Sequence, residues 1–375
     1  MVRQETTMPI YYALGNHLIA KDELVEKGEA LKRFREGKDR RFEFRTGVLE
    51  SKRDIATFSM LSRGNQPFIE IGLGKPLTIW ISSVYPADLP PKGLFGGGRG
   101  ALVSSAVKSW QSFDMKPRAL NILKQAVKRR VAIPRPAATE EGTPVVFYSP
   151  ALVDRSLTLT VEMAFDNVDE AFFAAVGGIF GSAAGLPVFV SAAPYLLAAS
   201  QLFKIGGKIG NSLFDSRAEF QATETINIDL PGPDLTAAGF ALLTRSEMDE
   251  KTLAELYIPA TGEVLNKVTN APYDGNIPYV VVALDGRADA SLIDFKATAA
   301  SAALLQQFYN IREDGQTTAD ILVDAMKFYN DFRYREEAGK VKEQIDKADT
   351  DEEKKKLEER YKALVKNIQS KEFQP

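Results

Sequence analysis

The 375-residue chain contains no cysteine. That absence removes disulfides, thiolate zinc sites, iron–sulfur ligation and cysteine nucleophiles from consideration. Histidine is almost as scarce, with His17 the only one. H-E-x-x-H therefore cannot occur, and a histidine-based triad would rest on a residue in GNHLIAKDE for which no partner can be nominated. His17 reads as a loop or capping residue. No G-x-S-x-G pentapeptide follows a strand-like run and no EF-hand loop is present, which leaves catalysis without a recognisable constellation. A carboxylate-dependent hydrolase has no sequence spacing to detect, so it stays open as one reading.

Excess charge of one sign is also missing. The chain has 47 basic and 50 acidic residues, for a net charge of −3, which provides no global field for nucleic acid; that partner is not expected. The N-terminal MVRQETTMPIYYALGNH lacks an apolar run of about 7–15 residues behind its basic residue. No secretory signal is expected there, and a cytoplasmic protein is the default. Hydrophobic residues at 45% and charged residues at 26% are ordinary for a folded protein. The length predicts two domains and an appendage.

Against this background one segment stands apart: Ala171 to Phe203 runs without a charge between Glu170 and Lys204. Asn167 and Glu170 form a helix-start pattern, Gly185 and Pro187 end the helix, and Pro194 opens a second one. Residues 167–214 therefore read as an inserted apolar helical hairpin. Gly177, Gly181 and Gly185 recur every four residues and make a flat strip for close packing. In the second arm Leu202, Ile205 and Ile209 lie on one side, opposite Ser200, Lys204 and Lys208. The first arm is shorter than the roughly 20 apolar residues of a membrane span and is interrupted by glycine. Packing within or between proteins is the simpler account, and insertion into a bilayer is the alternative.

Around the hairpin the chain reads as strands. Ile10–Leu14, Arg41–Leu49, Ile55–Leu61, Phe68–Leu73 and Leu77–Tyr85 are rich in β-branched and aromatic residues, and their short separations favour antiparallel pairing. Asp22–Arg35 between them predicts one amphipathic helix. The glycine-rich GLFGGGRG (93–100) lacks the lysine and hydroxyl of a phosphate loop and reads as a connection, so no cofactor is expected. Arg118–Val131 predicts a helix with Lys124, Lys128 and Arg129 outward. No acid lies between Asp114 and Glu140, which makes this the best basic surface. Pro134 to Gly142 reads as a linker. Strands resume at Val145–Tyr148, Ser156–Phe165, Ala218–Leu230, Gly239–Thr244 and Tyr279–Leu284.

From Thr298 the pattern is helical. Thr317 with Asp320 opens a long helix to about Lys347, and Thr350 with Glu353 forms a capping box for a last helix carrying Leu357, Tyr361, Leu364 and Ile368 near a/d spacing. This pair has too little apolar surface to stand alone, so docking on the body or another subunit is expected.

The resulting expectation is a mainly β protein with helices, an antiparallel β-sandwich or two, divided into 1–142, 143–297 and a helical 298–375. It is similar in architecture to C2-like β modules, a likeness that implies no function. The functional expectation is a non-enzymatic binding or structural protein. It would associate with a protein partner or itself through the apolar hairpin and the C-terminal helices, with no metal or cofactor. A membrane-active effector using the basic helix and the hairpin is the alternative from a different class.

Overall fold

The computed structural model describes residues 9–50, 67–88, 100–109, 118–124, 126–136, 142–166, 196–197, 220–228, 238–293 and 316–375. The predicted hairpin, with Gly177, Gly181, Gly185, Leu202, Ile205 and Ile209, lies outside these residues except for Leu196–Leu197, which form a short strand and not part of the expected second helix; the predicted strand Ile55–Leu61 and a helix after Thr298 also lie outside them.

Alternating apolar residues build mostly antiparallel sheets. The larger sheet contains β1 (Ile10–Leu14), β2 (His17–Ala20), β5 (Leu77–Tyr85), β8 (Ile133–Pro134), β9 (Val145–Ser149), β13 (Gly239–Thr244) and β16 (Tyr279–Asp285). Its order is β2-β1-β13-β16-β5-β8, with β9 also on β5. The smaller sheet contains β6 (Gly100–Ser109), β7 (Arg118–Lys124), β10 (Ser156–Asp166), β11 (Leu196–Leu197) and β12 (Phe220–Asn227), in the order β11-β7-β6-β10-β12. Both sheets take strands from either side of residue 142, so pairing joins what the sequence divides there.

One hydrophobic core draws on both sheets. Ile79, Ile81, Leu243, Val280 and Val282 from the larger meet Val103, Val107, Leu159, Val161 and Phe220 from the smaller. Each such side chain contributes about 1.5–3 kcal/mol when fully buried. The alternate residues of the larger sheet point the other way: Tyr11, Trp80, Tyr85, Leu242, Tyr279 and Val281 form a second core with Met248, Leu253, Leu256 and Val264. Those last residues belong to a layer of chain containing α3 (Glu250–Glu255), β14 (Leu256–Tyr257) and β15 (Leu265–Asn266). Side-chain hydrogen bonds pin the layer down, from Ser83 Oγ to Gly262 O at 2.6 Å and from Tyr85 OH to Gly275 O at 2.9 Å.

Several predicted elements take another form. The helix expected over Arg118–Val131 is strand β7 followed by irregular chain. RALNILK is short and apolar enough for either state, and pairing with β6 decides it, with every residue from Ala119 to Leu123 buried. Phe68–Leu73 is not a strand; it is held instead by the buried carboxylate of Asp285, which accepts from Ile69 N at 2.8 Å, while Gly286 N donates to Ile69 O at 2.8 Å. Arg41–Leu49 turns back on itself as β3 (Phe42–Phe44) and β4 (Gly47–Leu49). The single helix expected over Asp22–Arg35 is two, α1 (Lys21–Glu26) and α2 (Gly28–Glu36), interrupted at Lys27. His17 lies in β2, with its ring edge-on to Phe44 at 5.0 Å.

The C-terminal helices form as the capping box indicates. Helix α4 spans Gln316–Ile345 and α5 spans Asp351–Lys366, with the Thr350 hydroxyl accepting from Glu353 N at 3.2 Å. They pack on each other and dock on the body, where Tyr334, Ala338, Val341, Leu364 and Ile368 enclose Ala151 and Val153. Arg360 pairs with Glu337 between the helices, and the Asp331 carboxylate accepts from Gln369 N and Ser370 N at 3.0 and 2.7 Å. The docking rests on few apolar side chains. Leu364→Ala, which empties the fully buried centre of this cluster, should cost about 2–5 kcal/mol. Hydrogen exchange should then accelerate across α5 while β16 stays protected; equal protection of α5 in variant and parent would show that the contact does not hold the helices.

Candidate functional site

The most elaborated surface lies where the two sheets meet along β12. Alternation in this strand buries Phe220, Ala222, Glu224 and Ile226 and exposes Gln221 and Thr223. Glu224 therefore occupies a core-facing position on the outermost strand of its sheet. An unpaired carboxylate there would be costly. Its partner is Lys21, the first residue of α1, which follows β2 with no intervening loop. The Lys21 ammonium also donates to Thr225 O at 3.0 Å. Burial pushes the Lys21 amine below its ordinary range, and the adjacent Glu224 carboxylate favours its charged form.

Over this pair opens a cleft of about 610 Å³. Tyr11, Leu18, Met248 and Leu253, all buried, contribute its apolar lining. Six acids, Asp22, Glu23, Glu224, Glu247, Asp249 and Glu250, line it against two bases, Lys21 and Arg45. Most of the acids are already committed. Glu23, only 2% exposed, accepts from Arg45 N at 2.6 Å and pairs with Lys27 at 3.0 Å. Asp249 caps α3, accepting from Thr252 N at 2.9 Å and Thr252 Oγ1 at 2.6 Å, bonds that hold its carboxyl below the usual range. The Tyr11 hydroxyl accepts from Met248 N at 2.9 Å, and burial raises its pKa. A carboxylate fixed by backbone N–H groups is a poor proton carrier near neutrality. Glu247 and Glu250 stand exposed on the rim. Among the described residues no three His, Asp or Glu side chains gather to hold a metal ion.

A second cleft, about 560 Å³, lies across α3 and shares Asp249; the chain from Asn266 to Ile277 forms much of its wall. At its wall Tyr273 meets Tyr85 edge-on, and Tyr85 stacks on Tyr279, the three ring centroids lying 5.0–5.9 Å apart. Burial raises the pKa of all three hydroxyls, so they remain neutral and act as packing and hydrogen-bonding groups.

The basic residues chosen from sequence do not share a surface of one helix. Lys124 ends β7, Lys128 is exposed in the chain that follows, and Arg129 donates from Nε to Asp88 O at 2.8 Å. Arg130, not among them, makes the two-pronged contact with the Asp88 carboxylate at 3.0 Å for each bond. A further exposed feature among the described residues is on the C-terminal helices. Phe328 and Phe332 are 48% and 50% exposed, one turn apart on α4, and both meet Phe373 edge-on at 6.2 and 6.4 Å. No family model, curated protein or solved structure matches the chain.

The ion pair at the seam supplies a direct test. Lys21→Met leaves Glu224 facing the core without its partner and should destabilise by about 3 kcal/mol, the lower end for an orphaned buried charge because the lysine is partly solvated. The double variant Lys21→Met, Glu224→Leu should recover most of that loss in a denaturant titration. Additive losses would show that the two side chains are not coupled.

Proposed function

We propose that the chain is a cytoplasmic, non-enzymatic protein whose two sheets stack as a β-sandwich and which associates with protein through its C-terminal helices, with the apolar 167–214 stretch as a further contact. The observation that supports this reading is the aromatic surface of Phe328, Phe332 and Phe373. Two half-exposed phenyl rings one helical turn apart, backed by a third, form the kind of apolar anchor that protein interfaces use. The helix bearing them is fastened to the body through Tyr334, Ala338 and Val341, so its exposed side is presented in a fixed orientation and little ordering is needed on binding. The seam cleft favours binding over catalysis as well, because three of its acids, Glu23, Glu224 and Asp249, are held by structural partners. No described helix is long and apolar enough to cross a membrane.

Association through this surface is tested on the full chain. Light scattering should report a mass above the 41.3 kDa of one chain, or a benzophenone side chain introduced at position 332 should crosslink a protein in lysate. The double variant Phe328→Ser, Phe332→Ser should lose the larger mass or, with the crosslinker moved to the flanking exposed position 335, the crosslink, at unchanged circular dichroism. A parent that stays at one-chain mass across a concentration series and gives no crosslink overturns the reading.

A further inference from the structure

Lys267 directly follows β15, and its backbone is fixed on both sides. Lys267 N donates to Glu255 O at 2.8 Å, and the turn that follows is held by Asn266 Oδ1, which accepts from Val268 N at 2.9 Å and from Thr269 N at 3.1 Å. The side chain reaches two other elements. Its nitrogen lies 2.6 Å from Ala254 O in α3 and 3.3 Å from His17 Nδ1 in β2. Nζ is therefore held, part-buried, where β2, α3 and the end of β15 come together.

This nitrogen has acceptors but no counter-ion. Lys21, which burial likewise pushes below its ordinary range, has Glu224 beside it. Burial pushes Lys267 down as well, yet among the described residues its side chain meets only a backbone carbonyl and an imidazole nitrogen. Desolvation without a compensating anion favours the neutral amine. Two acceptors also suit that form: an amine has two N–H bonds to give, one to Ala254 O and one to His17 Nδ1, and its lone pair is left unshared. The bond to His17 requires the tautomer that carries its proton on Nε2.

We propose that Lys267 is a carbonyl-reactive site that takes up a small uncharged aldehyde as a Schiff base, with His17 relaying the proton. The amine lone pair attacks the carbonyl carbon and an N–C bond forms. His17 Nδ1 takes a proton from the nitrogen and returns it to the oxygen, giving a carbinolamine. Loss of water then leaves a C=N bond, and both amine hydrogens depart on the oxygen. An uncharged electrophile fits because neither contact of the nitrogen offers a charge to recognise an ionic one.

The full chain is treated with limiting propionaldehyde and cyanoborohydride at pH 7, and peptide mapping compares Lys267 with Lys251, an exposed lysine of α3. Each unit by which an amine's pKa falls raises its neutral fraction about tenfold near neutrality, so Lys267 should be labelled about tenfold faster or more. The ratio should shrink as the pH approaches about 10, where ordinary lysines lose their proton too; a difference in access alone would leave it constant. His17→Glu puts a carboxylate beside the nitrogen and should bring Lys267 down to the rate of Lys251 at unchanged circular dichroism. Labelling of Lys267 in the parent no faster than that of Lys251 at pH 7 overturns the proposal, as does a folded His17→Glu variant that keeps the parent ratio.

Discussion

The arrangement depends on a strand pair that is buried on both faces. All nine residues of β5 and all seven of β16 are buried, so the larger sheet cannot present either face to water at its centre. Each face needs a cover. On one the smaller sheet delivers Val103, Leu159 and Val161, and on the other the layer around α3 delivers Leu253, Leu256 and Val264. Two side chains of this buried pair are tied to that layer: Ser83 reaches Gly262 and Tyr85 reaches Gly275. Three layers thus follow from the composition of two strands, and short hydrophobic segments elsewhere have only to match the faces those strands leave.

Polar contacts also join the two sheets at two places. Along β12 an ion pair does it, with Glu224 turned inward and met by Lys21. A charge that faces the core from an outermost strand also discourages further strands from adding there, because a sliding partner would have to desolvate it. Lys21 reinforces this by occupying Thr225 O on the same strand. Along β7 the contact is uncharged, made by Asn121 at a bulge and by the backbone bond from Thr143 to Leu120. The two contacts differ in kind. Lys21 is partly solvated, so salt reaches the ion pair, whereas the amide side is sealed.

Much of the strand inventory was legible because alternation is a period-two signal that survives without tertiary context. Ser156–Phe165, Gly239–Thr244 and Tyr279–Leu284 read correctly for that reason, as did the Thr350 cap, whose hydroxyl and Glu353 are three residues apart. RALNILK was not legible: seven mixed residues satisfy a helix and a strand equally, and only the β6 partner breaks the tie. Phe68–Leu73 misled in another way, since its extended backbone is held by the Asp285 carboxylate and not by a ladder. The candidate cleft left one visible trace. In FQATETIN the alternation that places Phe220, Ala222 and Ile226 inward places Glu224 with them, and a glutamate in that position demands a cation. Nothing in local sequence names Lys21, which lies 203 positions away.

That demand also bears on what the cleft can do. A hydrolytic pair needs two carboxylates whose protonation states differ because their environments differ, with space between them for substrate. Here three of the acids already have structural partners: Glu224 meets an ammonium, Glu23 a backbone N–H and Lys27, and the exposed Asp249 the Thr252 backbone and hydroxyl. The same carboxylates suit a different purpose, which is to fix α1, α3 and β12 at the place where two sheets and a covering layer converge. A body closed in this way can carry an exposed aromatic patch on docked helices without loosening. Rigid presentation is what a binding surface gains from a core that its polar side chains hold shut.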